Sequence, residues 1–261
     1  MAELEGYTAD TFTHAGEQKP IYRRGEGPAV IVMAEIPGIT PLVADFGRRV
    51  ADLGMTAVLP SLFGTPGKEP STGYILNSIT KACISSEFAT FALKKTSPVT
   101  QWLRALCRHE HERCGGPGVG AVGMCLTGGF ALALMVDDSV MAPVLSQPSL
   151  PFPLSNKHKR DLGIDDDDLA RVKERVAAGV CVLGVKFTND KASPDERFER
   201  LAEELGDGFI GVNIDSSKGN PYGNPTNAHS VLTEHLEDIE GHPTKEALDQ
   251  VLEHFRSRLL D

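Results

Sequence analysis

The chain has 261 residues, 36 acidic against 26 basic, and a formal net charge of −10. With no basic block, that balance argues against nucleic acid or an anionic membrane surface as a partner. Five widely spaced cysteines (Cys83, Cys107, Cys114, Cys125 and Cys181) include no Cys-x-x-Cys pair, which argues against a disulfide framework or structural zinc and fits a reducing cytoplasm.

Residues 1–10 are acidic and polar, unlike a signal peptide, and no apolar run approaches the length of a membrane span. Two strands are expected over 11–14 and 20–23. Gly25-Glu26-Gly27-Pro28 then leads into the apolar run 29–34, the pattern of an inner parallel strand covered on both faces. Pro37 and Gly38 end that strand. A helix is predicted over 41–54, with Leu42, Phe46, Val50 and Leu53 as its apolar stripe and Gly54 as its stop. A strand over 55–60 follows, then a Gly/Pro-rich loop over 61–72. Within that loop Gly64-Thr65-Pro66-Gly67-Lys68 is not a phosphate loop, because Leu62 stands where the first glycine belongs and no Ser or Thr follows Lys68.

Residues 74–114 hold helical segments, clearest over 99–106, and a strand is predicted over 140–145. The segment 155–178 carries Asp165 to Asp168 ahead of a helix through Leu169, Val172 and Val176. Carboxylates at a helix N-terminus interact favourably with its dipole, which accounts for the run without a metal. Further strands are expected over 179–185 and 209–214, a helix over 194–205, and two closing helices starting near Asn227 and Thr244. The last buries Leu248, Val251, Leu252, Phe255 and Leu259. Strands alternate with helices and neither repeat nor linker interrupts them. The expected fold is therefore α/β: one domain over 1–261, a doubly wound and mostly parallel sheet with helices on both faces. Within it, 155–178 is expected as a helical insertion near the site that could partly cover it.

One stretch organises the rest: Val119-Gly120-Ala121-Val122-Gly123-Met124-Cys125-Leu126-Thr127-Gly128-Gly129. It starts as a buried strand and continues into helix formers, with a cysteine among small residues between them. A strand–turn–helix elbow that lifts a nucleophile above a sheet has this form. A cysteine nucleophile needs a base, and the base needs an orienting acid. Among eight histidines His229 stands out, following a turn-rich loop after the last strand, where ligand crevices open in parallel sheets. His109, His111 and His254 lie in charged helical surroundings and are expected to face solvent. The spacing of His109-Glu110-His111 splits its rings around a helix and argues against a metal. Asp190, directly after the strand over 179–185, is a candidate acid, and a turn or cap residue reads equally well there. The order Cys125, Asp190, His229 is the nucleophile–acid–histidine order of the α/β-hydrolase fold.

From residue 28 to the last helix the chain resembles the dienelactone hydrolase family, α/β-hydrolases with cysteine as the nucleophile. The resemblance rests on Ala34-Glu35-Ile36-Pro37-Gly38, Leu59-Pro60-Ser61-Leu62-Phe63-Gly64, Gly123-Met124-Cys125-Leu126, Thr188-Asn189-Asp190-Lys191 and Ala228-His229-Ser230. It implies Cys125 as nucleophile, His229 as base and then acid, and Asp190 as orienter. It also implies an oxyanion hole from the backbone N–H groups of Ile36 and Leu126, and Glu35 as a fourth catalytic member contacting the resting thiol. The chain departs from the family pattern at Thr127, where a glycine is usual, and at Thr233, where the dienelactone enzymes carry an arginine for the substrate carboxylate. The expected activity is cofactor-independent hydrolysis of a small ester, lactone or thioester through a thioacyl-enzyme, without metal, by a cytoplasmic monomer or small homo-oligomer. The alternatives are a non-catalytic ligand-binding or redox-sensing protein on the same scaffold, and an acyltransferase.

Overall fold

The computed structural model describes residues 4–84, 97–149 and 156–261. Among them, eight strands form one sheet: β1 (Thr8–His14), β2 (Glu17–Arg24), β3 (Ala29–Met33), β4 (Thr56–Pro60), β5 (Val119–Met124), β6 (Val140–Ser146), β7 (Val182–Phe187) and β8 (Phe209–Ile214). The order across the sheet is β1-β2-β4-β3-β5-β6-β7-β8. β1 and β2 pair antiparallel at one edge, β2 meets β4 antiparallel, and every later pairing is parallel.

Side chains alternate across a strand, so a run apolar at every position must be covered on both faces. The central strands behave this way. On one face Ile31 and Met33 of β3 and Ala121 of β5 join a core with Trp102, Leu103 and Leu106 of α3 (Pro98–Cys114) and Phe130 and Leu134 of α4 (Gly128–Leu134). Val30 and Val32 of β3 and Val122 and Met124 of β5 point the other way. They meet Val43, Phe46 and Val50 of α1 (Pro41–Asp52) and Leu248, Val251 and Phe255 of α8 (Pro243–Leu259). The remaining helices are α2 (Thr72–Ile84), α5 (Asn156–Lys159), α6 (Asp166–Ala177) and α7 (Asp195–Leu205). No helix of the described residues is long and apolar enough to cross a membrane.

The predicted aspartate run starts α6 as expected. The Asp165 side chain caps it by accepting the Asp168 N–H at 2.8 Å, and Asp168 pairs with Arg104. Leu169 and Val172 of α6 join the core beside α4 and α7. Residues 85–96 and 150–155, which include part of the expected helical region and the start of the 155–178 segment, lie outside the described residues.

Three expectations are corrected. The inner stripe of α1 is Val43, Phe46, Gly47 and Val50, whereas Leu42 and Leu53 are 43% and 37% exposed; a stripe drawn through Leu42 is rotated by one position. No helix starts near Asn227: the chain turns through 226–235, held by the His235 ring, and regular helix begins at Pro243. Val231 and Leu232 are buried within those turns. His254 is buried at 8% exposure, on the α8 face that carries Val251 and Phe255 to the core.

Candidate active site

Five adjacent parallel strands each deliver one residue to the same end of the sheet. Glu35 follows β3, Cys125 follows β5, Gln147 follows β6, Asp190 follows β7, and His229 lies in the long connection after β8. Ligand crevices of parallel sheets open at these carboxyl ends.

The elbow is built by close approach. Cys125 takes φ 55, a left-handed conformation that a residue with a side chain adopts at a cost of about 1–3 kcal/mol. The turn Cys125–Thr127 is a single 3-10 turn, and α4 begins directly after it. A Cβ at Gly123 would stand 2.0 Å from the Thr127 carbonyl oxygen, and one at Gly128 would stand 2.5 Å from Pro148 Cα, so neither position admits a side chain. Thr127, where the family has glycine, has an ordinary φ of −86. Its buried hydroxyl accepts the Met124 N–H at 2.8 Å and donates toward the Met33 carbonyl at 2.8 Å. It thereby ties the elbow to the end of β3. The β-branched residue fits because the tight approaches fall on the glycines at either side.

His229 and Asp190 are brought together by loops that staple each other. The Asn189 N–H donates to Ser216 Oγ, the Ser216 N–H donates to Thr188 Oγ1, and the Asn189 side-chain amide donates to the Thr226 carbonyl. Between these staples the His229 Nδ1–H donates to Asp190 Oδ2 at 2.7 Å. The other oxygen, Oδ1, accepts the Ala192 N–H at 2.9 Å, so the turn role and the orienting contact coexist in one carboxylate. The Cys125 thiol is near enough to the same imidazole to act on its charge. Burial alone would lower the His229 pKa. The hydrogen bond to Asp190 and the neighbouring Cys125 outweigh it and push the pKa from 6.5 up to about 11.

The histidine loop is held from two further sides. Behind it, His235 Nδ1 accepts the backbone N–H groups of His229 at 3.4 Å and Ser230 at 3.3 Å. Burial lowers the His235 pKa, which suits a ring that must stay neutral to accept. In front, the buried Glu35 carboxylate accepts from Ser230 Oγ at 2.6 Å, from Gln147 Nε2 at 3.1 Å and from Thr233 Oγ1. Thr233, standing where the dienelactone enzymes have arginine, is thus a neutral partner of Glu35. Ile36 follows Glu35 in a loop closed by the Gly38 N–H on the Glu35 carbonyl, and Leu126 is the buried residue just after the thiol. Sequence reasoning missed Gln147, Ser230 and His235. Gln147 could have been found, since it ends a buried strand, the rule that singled out Asp190.

The sequence matches the model of the dienelactone hydrolase family over residues 14–207. A comparison with curated proteins finds no match. Among solved structures the chain is similar to a putative dienelactone hydrolase from Klebsiella pneumoniae subsp. pneumoniae MGH 78578, at 18% identity and TM-score 0.61, covering 95% of this chain and 98% of that one. It is also similar to the dienelactone hydrolase-like promiscuous phosphotriesterase P91 from metagenomic libraries, at 16% identity and TM-score 0.64, covering 97% and 99%. An S-formylglutathione hydrolase from Agrobacterium tumefaciens aligns at 14% identity and TM-score 0.53 over 99% and 98% of the two chains. At these identities the structural likeness speaks for the α/β-hydrolase fold. The family match itself covers β2 through α7, and with them Glu35, the Cys125 elbow and Asp190. The chain belongs to the dienelactone hydrolase family.

Proposed function

We propose that this protein hydrolyses small carboxylic esters, lactones or thioesters through Cys125, His229 and Asp190, without a cofactor. The observation that carries the reading is a thiol at a left-handed elbow beside an imidazole whose Nδ1 sits 2.7 Å from a buried carboxylate. Nucleophile, base and orienter in that chain of contacts are what acyl transfer by cysteine requires.

In the proposed reaction the Cys125 sulfur anion, accompanied by the His229 imidazolium, attacks the acyl carbon. The carbonyl π pair moves to oxygen, and the oxyanion is held by the N–H groups of Leu126 and Ile36. Collapse breaks the bond to the leaving group, which takes the proton from His229 Nε2, and a thioester to Cys125 remains. Water then attacks that thioester while Nε2 takes its proton. The second collapse releases the acid and restores the sulfur anion beside the imidazolium. Glu35 is the fourth polar member of the proposed site. With Thr233 in place of an arginine, the substrate is proposed to be other than dienelactone itself. Among the described residues Cys107, Cys114, Cys125 and Cys181 are free thiols, which favours a reducing compartment such as the cytoplasm. A monomer or small homo-oligomer is proposed.

Hydrolysis of aryl esters and aryl thioesters by the wild type and by Cys125→Ala tests the reading. The variant is expected to lose at least about a thousandfold in kcat. Unchanged turnover in Cys125→Ala would overturn it. Alkylation of Cys125 without any turnover would favour the sensing alternative, and acyl transfer to an added amine or thiol in preference to water would favour the acyltransferase.

A further inference from the structure

Gln147 is fully buried, and its φ of 34 is left-handed, a conformation that a non-glycine residue holds only when its surroundings demand it. Its contacts show what those surroundings are. The Gln147 side-chain oxygen accepts the Val231 N–H at 3.3 Å and the Ser146 hydroxyl, and its side-chain nitrogen donates to Glu35 Oε2 at 3.1 Å. The Gln147 backbone N–H donates to the Val185 carbonyl of β7 at 2.7 Å. Two residues on, the Ser149 N–H donates to the carbonyl oxygen of Cys125 at 2.9 Å, and the Ser149 hydroxyl returns to the Gln147 carbonyl at 3.1 Å. Between them Pro148 lies so close to Gly128 that the elbow helix and this turn touch backbone to backbone.

The turn 147–149 therefore touches the segments that carry Cys125, Glu35 and His229. It holds the nucleophile's own carbonyl, the Glu35 loop and the histidine loop at Val231, while Glu35 passes the hold on to Ser230 and Thr233. His229 is followed directly by Ser230 and Val231, both anchored to this one group of buried side chains. A glutamine amide suits the task because it is donor and acceptor at once and carries no charge beside the Glu35 carboxylate.

We propose that Gln147 is a positioning residue for the reaction: it sets the distance between the His229 ring and the Cys125 sulfur by bracing the histidine loop against the elbow. The inference rests on the hydrolase reading above for its consequence in turnover, but the thiol–imidazole spacing can be read without turnover.

Gln147→Gly is the informative variant, because glycine accepts the left-handed backbone and its relief of strain offsets part of the stability lost with the side chain. The measurements are kcat and KM for an aryl ester, and the rate at which iodoacetamide alkylates the peptide carrying Cys125 at pH 7. The expected result is a kcat lower by about ten- to hundredfold with KM little changed, the scale of a reacting pair misplaced by about 1 Å, and a parallel fall in Cys125 alkylation. Wild-type kcat, or a lowered kcat with unchanged Cys125 alkylation, overturns the proposal. Should Gln147→Gly not fold, Gln147→Glu decides. Its protonated carboxyl reproduces the amide's donor and acceptor, whereas its ionised form repels Glu35. The ratio of kcat at pH 6 to kcat at pH 8 should exceed the wild-type ratio by about tenfold, and an unaltered ratio overturns the proposal. Wild-type turnover that survives Cys125→Ala would defeat the hydrolase reading alone, leaving the alkylation result to judge Gln147.

Discussion

The Asp190 carboxylate meets His229 Nδ1 at 2.7 Å across 39 residues of chain, and its second oxygen holds the turn at Ala192. One side chain thus has a local duty and a distant one, and the two can be separated.

Asp190→Asn should separate them. The amide oxygen can still accept the Ala192 N–H, so the thermal midpoint should move by only a few degrees. The charge that orients the imidazole and stabilises its protonated form is gone, and kcat for an aryl ester should fall by about a thousandfold or more. Steady-state kinetics beside a thermal melt checks both halves. Wild-type kcat would remove Asp190 from the reaction.

Thr127 gives a stability prediction. Thr127→Val keeps the shape and removes a buried hydroxyl that accepts from Met124 and donates to Met33, leaving a buried N–H without its partner. The expected loss is about 2–3 kcal/mol, while Thr127→Ser should stay within about 1 kcal/mol of the wild type. Denaturant midpoints at pH 7 compare the three.

His254 predicts an acid-side weakness. Burial first, and the nearby Arg258 second, lower its pKa from 6.5 to about 4, and its Nε2 has no hydrogen-bond partner among the described residues. The native state therefore holds the ring neutral while the unfolded chain takes up a proton below about pH 6.5. Stability should fall as pH drops from about 6.5 to about 4, by up to about 3 kcal/mol, and should not change through this group above 6.5. His229 has the opposite shift. Its contribution is complete below pH 6.5 and is lost as pH rises toward 11, so it does not mask the acid effect. His254→Phe should flatten the acid limb of a stability–pH curve relative to the wild type. An equally steep limb in the variant would show that other groups produce it.

The sheet was legible because its central strands are apolar at every position, which only a doubly covered parallel sheet accommodates. Cys125 and Asp190 were legible because each stands just past a strand, and His229 because it lies in the turn-rich connection that follows the last strand. The bracing around them was not. Glu35 meets Gln147 across 112 residues and Thr233 across 198, and no local spacing encodes which glutamine or threonine will face a given carboxylate. The helix expected from near Asn227 is replaced by turns for a related reason. The His235 ring, five and six residues further on, accepts the N–H groups of Ser230 and His229 and holds the segment in turns, a partnership that no local pattern announces.

The place of His229 after β8 has a consequence for how the protein is made. A nascent chain that has reached Asp207, the end of the family match, already holds Cys125 and Asp190 but not the imidazole. Nor does it hold α8, which packs on β5 to β8 and covers one side of the sheet. The residues after Asp207 thus supply both the missing cover and the histidine. On the proposed mechanism, the thiol acquires its base from the same stretch of chain that brings the α8 cover.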